Sequence, residues 1–230
     1  MSNIWTVIPA AGESRRFKDA GFVTPKPLLT LKSKSGEIGY MVQHVIADFP
    51  AWLRAGVIVA LPEGFPKPID LQERVVSIEH TTGQADTVYQ VVKTLPDDDS
   101  VLVLDCDMIL KTKDILTLVE MINVYDVTIA VSETFDPNAS RVDSIPFPTR
   151  FVEKEPISQW GIVGGRAFKK AGLLTQALKK TLDRCVDRHQ EPYLSLAINP
   201  YPGSKFAHVI TDYIDLGTPE RIKEAGWEIL

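Results

Sequence analysis

The residues that could do chemistry fall into a basic set and an acidic set. Arg15, Arg16 and Lys26 crowd the stretch VIPAAGESRRFKDAGFVTPKPLL, Val7 to Leu29. Ala10, Ala11, Gly12 and Ser14 in the same stretch are small enough for backbone N–H groups to approach an anion. Arg16 offers a planar fork of donors suited to phosphate oxygens, and Lys26 a compact charge. Pro25 and Pro27 stiffen the backbone around Lys26 and reduce the entropy lost when it is held in place. Such a loop can hold a triphosphate. A solvated basic loop with turn-forming prolines is the plain alternative.

The acidic set is Asp105 and Asp107 in VLVLDCDMIL, and Asp215 in YIDLGTPE. Carboxylates at the end of an apolar run are costly to bury unless paired or bound to a metal. Mg²⁺ prefers one or two protein carboxylates together with phosphate oxygens and water. Asp105 precedes Asp107 by two residues and so shares its face on an ideal strand. It could act through water or orient a neighbour, and simple solvation at a strand end is an equal reading. Read alone, DLGTPE is also a good turn and helix cap. Asp212 stays unassigned.

These residues need elements to carry them. IWTVIP (Ile4–Pro9), GVIVAL (Gly56–Leu61), RVVSI (Arg74–Ile78) and VLVLDCD (Val101–Asp107) read as strands buried on both faces. Tyr40–Phe49, Gln84–Leu95 and Lys113–Tyr125 carry apolar residues at helical spacing. Strands alternating with helices imply right-handed crossovers and a three-layer αβα sandwich around a mostly parallel, Rossmann-like sheet. Ligands bind such sheets outside the carboxyl ends of the strands. The basic loop and Asp107 therefore belong on one edge. After Asp126–Glu133 the alternation weakens, and TFDPNASRVDSIPFPT (Thr134–Thr149) reads as an exposed loop. RFVEKE and WGIVGGRAF look like two strands, with helices in Phe168–Arg188 and part of Glu191–Ile198. A strand, a turn and a helix beginning at Thr218-Pro219-Glu220 follow. One domain over residues 1–230 is the economical reading, with halves at 1–133 and 134–230.

The bulk properties exclude several classes. A net charge of −5 argues against a general nucleic-acid binder. No apolar run is long enough to span a bilayer, and the first residues lack a signal-peptide pattern. Two cysteines, Cys106 and Cys185, are too few for a disulfide scaffold and lack metal-ligand spacing. A cytoplasmic protein with reduced thiols is expected. Cys106, inside an apolar run, is expected to be buried and inert. Whether the chain forms a homo-oligomer is left open.

PAAGESRRF…TPKPLL resembles the signature of the nucleotidyltransferases with a GT-A-like nucleotide-diphospho-sugar transferase fold. That pattern is a small-residue turn, an arginine, and a lysine inside Pro-Lys-x-Leu. The family includes sugar-1-phosphate nucleotidyltransferases and cytidylyltransferases of other phosphorylated substrates. The resemblance implies catalytic roles for Arg16 and Lys26, and nucleotide contacts from Ala10, Ala11, Gly12, Glu13, Ser14 and Arg15. Ser14 stands where the pattern usually has a second glycine, so altered loop geometry is expected there. Gly21-Phe22 resembles a bacterial branch of the family. Asp107 and Asp215 fall where the family carries its Mg²⁺ ligands, Asp215 in an Asp-x-Gly-Thr turn. HTTGQADTVYQV resembles the base-and-ribose segment, with Thr82, Gly83 and Gln84 as nucleotide contacts. The glutamine often used to read a pyrimidine is missing upstream, which leaves the base open. Glu153-Lys154 resembles the Glu-Lys-Pro stretch that contacts sugar and phosphate, with Glu155 inserted before Pro156. Gly161 and Gly164 match the following acceptor strand.

The implied reaction is attack by an acceptor phosphate oxygen on the α-phosphorus of a nucleoside triphosphate, giving a nucleotide sugar and pyrophosphate. Phosphate is already nucleophilic, so no serine or cysteine is needed, and His44, His80, His189 and His208 receive no catalytic role. Positioning and electrostatics dominate such chemistry. Alternatives are a cytidylyltransferase with a non-sugar acceptor, a GT-A glycosyltransferase using Asp105-x-Asp107, and a non-catalytic nucleotide sensor. The implied partners are small molecules, with no nucleic acid and no membrane.

Overall fold

The computed structural model describes residues 3–65, 67–68 and 71–230. It opens with β1 (Ile4–Pro9), the short helix α1 (Arg15–Asp19) and a 3-10 turn over Lys26–Leu28. The hairpin of β2 (Thr30–Lys32) and β3 (Ile38–Tyr40) leads through α2 (Met41–Val45) and α3 (Ala51–Arg54) to β4 (Val57–Pro62) and β5 (Arg74–Ile78). Helix α4 (Gln84–Val92) precedes β6 (Ser100–Leu104), the short β7 (Met108–Leu110), α5 (Thr112–Met121) and β8 (Val127–Glu133). Then come β9 (Ser140–Val142), β10 (Phe151–Glu153), β11 (Trp160–Phe168), α6 (Ala171–Asp187) and α7 (Leu194–Ile198). The chain ends through β12 (Lys205–Val209), β13 (Tyr213–Asp215), α8 (Pro219–Glu224) and β14 (Glu228–Ile229).

Side chains of the central strands alternate between two cores. Val7 of β1, Ile58 of β4 and Val103 of β6 pack beneath α4, α6 and α7. Their neighbours Ile8, Val59 and Leu102 pack beneath α2, α3 and α5. This period-two division between two helical layers makes the αβα sandwich. The central sheet runs β5-β4-β1-β6-β11-β8-β12, with β9 attached to β11 and β10 to β9. Pairing is parallel from β5 through β4 and β1 to β6, and again between β8 and β12. β11 enters antiparallel between β6 and β8, so strands from the second half are woven into the sheet of the first.

A third, smaller core lies under the sheet edge where the basic loop sits. Phe17, Leu29, Leu31, Met41, Leu216 and Ile222 form it, drawing on α1, β2, α2, the turn after β13 and α8. Phe17 is 1% exposed, and burying such a side chain is worth about 1.5–3 kcal/mol. Residues distant in sequence are thereby clamped beneath one edge.

Some expectations are corrected. The run Arg74–Ile78 is an edge strand with only its last residue buried, not a strand covered on both faces. Over Tyr40–Phe49 the helix closes at Val45, because Pro50 disfavours helical backbone at Phe49. The stretch Thr134–Thr149, read as exposed loop, contains β9 with Arg141 and Val142 buried. The Arg141 guanidinium donates to the carbonyls of Thr134, Asp136 and Ser158, pinning a polar segment by its backbone.

Candidate active site

The basic loop leaves the carboxyl end of β1 and turns at Ser14, which adopts left-handed backbone with φ 55° and ψ 36°. A glycine is the cheapest residue in that conformation. Ser14 retains the turn and adds a bond: its hydroxyl accepts the Lys26 backbone N–H at 3.2 Å. The serine thus ties the loop to the Pro-Lys-Pro segment. At Gly12 an added Cβ would meet nothing within 4 Å, so that face of the loop is open. Glu13 and Arg15 pair with each other at 2.5 Å on the exposed surface.

Lys26 sends its ammonium to Asp107, with Nζ 2.6 Å from Oδ2. Burial works against the charged amine, but the Asp107 carboxylate outweighs it and holds the Lys26 pKa above its ordinary value. Burial likewise pushes the Asp107 carboxyl up, and the charge and hydrogen bond of Lys26 more than reverse this. Arg16, itself exposed, adds to the lowering. The Cys106 thiol between the two aspartates is pushed up to about 12 by burial and stays protonated.

Asp107 and Asp215 are joined by backbone. Asp107 lies just beyond β6 rather than within it, and β7 pairs antiparallel with β13, setting Asp215 opposite Met108. The Leu216 N–H donates to the Asp107 carbonyl at 2.8 Å. An added Cβ on Gly217 would lie 3.0 Å from Asp215 Oδ1 and 3.2 Å from Asp107 Oδ2, so both carboxylates converge on one point. Burial raises the Asp215 pKa, and the charge of Asp107 raises it further. Arg221 donates to Asp215 Oδ2 and, 3.0 Å away, to Asp136 Oδ2. Two like charges facing one spot form a donor set that fits Mg²⁺, whose remaining positions phosphate oxygens and water fill. Among the described residues no group of three or more His, Cys, Asp or Glu could hold a metal.

A cleft of about 700 Å³ is floored by Lys26, Asp105, Cys106 and Asp107, while Asp215 and Arg221 line a separate pocket beside it. Ala10 and Gly12 to Arg15 form one wall, and Thr82, Gly83 and Gln84 another. Gly83 stands at the N-cap of α4, and Thr82 before it donates both its N–H and its hydroxyl to Asp86 in the first turn. A Cβ at Gly83 would come within 3.0 Å of the Pro192 carbonyl, which also accepts the Ala85 N–H at 2.9 Å. This contact brings Glu191 and Tyr193 into the cleft. Gln84 donates its amide to Asp105 Oδ1 at 2.6 Å, and Arg166 reaches the same oxygen at 2.8 Å.

The expected acceptor residues sit differently. Glu153 accepts from Ser140 at 2.5 Å and from Ser195, facing a separate cavity of about 230 Å³ rather than the cleft. Burial pushes its carboxyl up to about 7. Lys154, at φ 56°, reaches the cleft rim, donating to the Tyr193 hydroxyl at 2.7 Å, which in turn donates to Glu191. Gly161 and Gly164 both answer to packing. An added Cβ would lie 2.4 Å from Thr134 Cγ2 at the first and 2.6 Å from Met108 Cβ at the second. Gly164 also needs its φ of 60°, and its carbonyl accepts the Asp105 N–H at 2.8 Å. Arg166, Glu191, Tyr193 and Arg221 were not singled out by their chemistry in the sequence. Only Arg166 left a signal, as a charge inside an otherwise apolar strand.

Solved structures share the whole architecture. A nucleoside-diphosphate-sugar pyrophosphorylase from Vibrio cholerae RC9 is 18% identical, with a TM-score of 0.77 over 96% of this chain and 98% of its own. UDP-glucose pyrophosphorylase complexed with UDP-glucose is 14% identical, with a TM-score of 0.73 over 98% and 97%. The 2-C-methyl-D-erythritol 4-phosphate cytidylyltransferase of Francisella tularensis is 16% identical, with a TM-score of 0.67 over 98% and 99%. At such identities the likeness shows the fold. Comparison with curated protein sequences finds no match. The family profile described as the MobA-like NTP transferase domain matches residues 6–155, well over half of the chain. With that match over β1 to β10 and most of the cleft lining, the chain belongs to the MobA-like NTP transferase family and is a nucleotidyltransferase.

Proposed function

We propose that the chain joins a nucleoside triphosphate to a sugar phosphate, in a Mg²⁺-dependent reaction that gives a nucleotide sugar and pyrophosphate. An oxygen of the acceptor phosphate attacks the α-phosphorus, a new P–O bond forms, and the bond to the bridging oxygen of pyrophosphate breaks. The observation that carries this reading is the convergence of Lys26, Asp107 and Asp215 beside the loop from Ala10 to Arg15. The loop from Ala10 to Arg15 receives the nucleotide, and Thr82, Gly83 and Gln84 flank its base and ribose. Lys26 and Arg16 neutralise phosphate charge where it grows in the transition state. Asp107 and Asp215 would hold Mg²⁺, which when bound neutralises and orients phosphate oxygens. Lys154 lies at the rim, where it meets the phosphate of the acceptor, and Glu153, Gly161 and Gly164 support that side from outside the cleft lining. We place the protein in the cytoplasm, where its two free, buried cysteines stay reduced.

A pyrophosphate-release assay over ATP, CTP, GTP, UTP and dTTP with sugar phosphates and non-sugar phosphates tests the reading, with and without chelator. Turnover confined to one triphosphate and a sugar phosphate, and abolished by chelator, is the expected result. Turnover confined to CTP with a non-sugar phosphate selects the cytidylyltransferase reading instead. Release of a nucleoside diphosphate from a nucleotide sugar would make the chain a glycosyltransferase. No turnover with any pair would overturn the reading.

A further inference from the structure

The structure assigns Arg166 as a positioning residue that fixes Gln84 for nucleotide binding through Asp105. This rests on the nucleotide-binding reading above and extends it to a residue outside the cleft wall. Arg166 lies on β11, where its neighbours Gly164, Gly165, Ala167 and Phe168 offer no polar partner from their side chains. Its side chain is 4% exposed and its partner Asp105 only 18%. A guanidinium buried in an apolar strand costs more than an aliphatic side chain of equal volume would. Removing it from water serves a purpose only if the charge holds something in place.

What it holds is Asp105 Oδ1, at 2.8 Å, and that oxygen also receives the Gln84 amide at 2.6 Å. Asp105 is gripped a second time by its backbone N–H on the Gly164 carbonyl, two residues before Arg166 on the same strand. Strand β11 therefore sets both the backbone and the side chain of Asp105, and Asp105 sets the first residue of α4. Gln84 and Asp105 both line the cleft while Arg166 does not, and with one N–H spent on Asp105 the Gln84 amide still has an oxygen and a second N–H to offer a ligand. The charge of the same guanidinium partly offsets the burial that raises the pKa of Glu153 on β10. Arg166 thus stands between the nucleotide side and the acceptor side. A lysine in its place would present a point charge on a flexible stem, without the planar fork.

Calorimetric titration without acceptor tests the assignment. The Mg²⁺ complexes of ATP, CTP, GTP, UTP and dTTP are titrated into the wild-type chain, and the tightest is carried into the variants. Gln84→Ala and Arg166→Met should each weaken binding about tenfold, as loss of one well-placed hydrogen bond does. The double variant should be weakened about tenfold in all, not about a hundredfold, because both substitutions remove the same contact. An additive loss would overturn the assignment, and so would wild-type affinity in Arg166→Met. Arg166→Met alone leaves Asp105 uncompensated and could destabilise the fold. The paired variant Asp105→Asn with Arg166→Met removes both charges. It should melt like the wild type yet bind about tenfold more weakly, and wild-type affinity there refutes the relay. If the wild type binds none of the five nucleotides, the proposed function fails and the relay with it. If the wild type binds and the variants match it, the relay alone fails.

Discussion

Lys26 rests on Asp107, a carboxylate that the proposed reaction assigns to metal, so on that reading its ammonium passes to phosphate when substrate arrives. That transfer makes its charge most valuable in the transition state. Lys26→Ala should lower kcat on the order of 10²–10³-fold with a smaller effect on nucleotide affinity. Lys26→Arg should not restore the rate, since a planar fork does not fit the point between Pro25 and Pro27. Single-turnover rates at saturating substrates decide this, and a rate within a few fold of wild type for Lys26→Ala would return the loop to solvated surface. Asp215→Asn keeps shape and removes charge from a carboxyl whose charged form is already disfavoured. Its thermal melt should match or exceed that of the wild type while Mg²⁺-dependent turnover collapses. Unchanged kinetics would make Asp215 a turn residue only. At this scale Lys26, Asp107 and Asp215 were legible because each sits in a short local pattern. Arg166, Glu191, Tyr193 and Arg221 were not, because their partners lie in other elements and no local spacing marks them.

The loop between β1 and α1 shows how an element absorbs a departure from pattern. Ser14 accepts left-handed strain and returns a hydrogen bond to Lys26. Ser14→Gly relieves the first and loses the second, so unfolding stability should move by less than about 0.5 kcal/mol. Ser14→Ala keeps the strain and loses the bond, and should cost about 1 kcal/mol. Urea titration separates the two; equal losses would mean the hydroxyl contributes nothing. Gly164→Ala faces both a φ of 60° and a clash with Met108, and should cost at least about 2 kcal/mol. The strands were legible from runs of aliphatic residues bounded by turns, and α6 from a long helical period. The segment holding β9 was not, because its polar composition signals a loop, while the buried Arg141 that orders it acts on distant carbonyls. The brevity of α2 was equally hidden behind good helical spacing that a proline cut short.

For the molecule as a whole, Glu153 links stability to pH. Burial lifts its carboxyl from 4.5 to about 7, so the fold favours the protonated form. That contribution is fully present below pH 4.5 and is lost as pH rises through about 7, amounting to at most about 3 kcal/mol. Glu153→Gln should erase this slope. Urea midpoints of wild type and variant should approach each other at pH 5 and diverge at pH 8 in favour of the variant. Parallel pH profiles would show that Glu153 is charged in the fold. The layered architecture was legible in the sequence because alternation between strand and helix leaves few ways to cover a sheet. The insertion of antiparallel β11 between β6 and β8 was not, because nothing in its own residues names its neighbours. The pairing of β7 with β13 carries one more consequence, for how independent the two carboxylates are of the large sheet. Every strand of that sheet lies at or before Val209, whereas Asp215 lies beyond it. Parting β13 from β7 would therefore separate the two converging carboxylates while every ladder of the large sheet stayed closed.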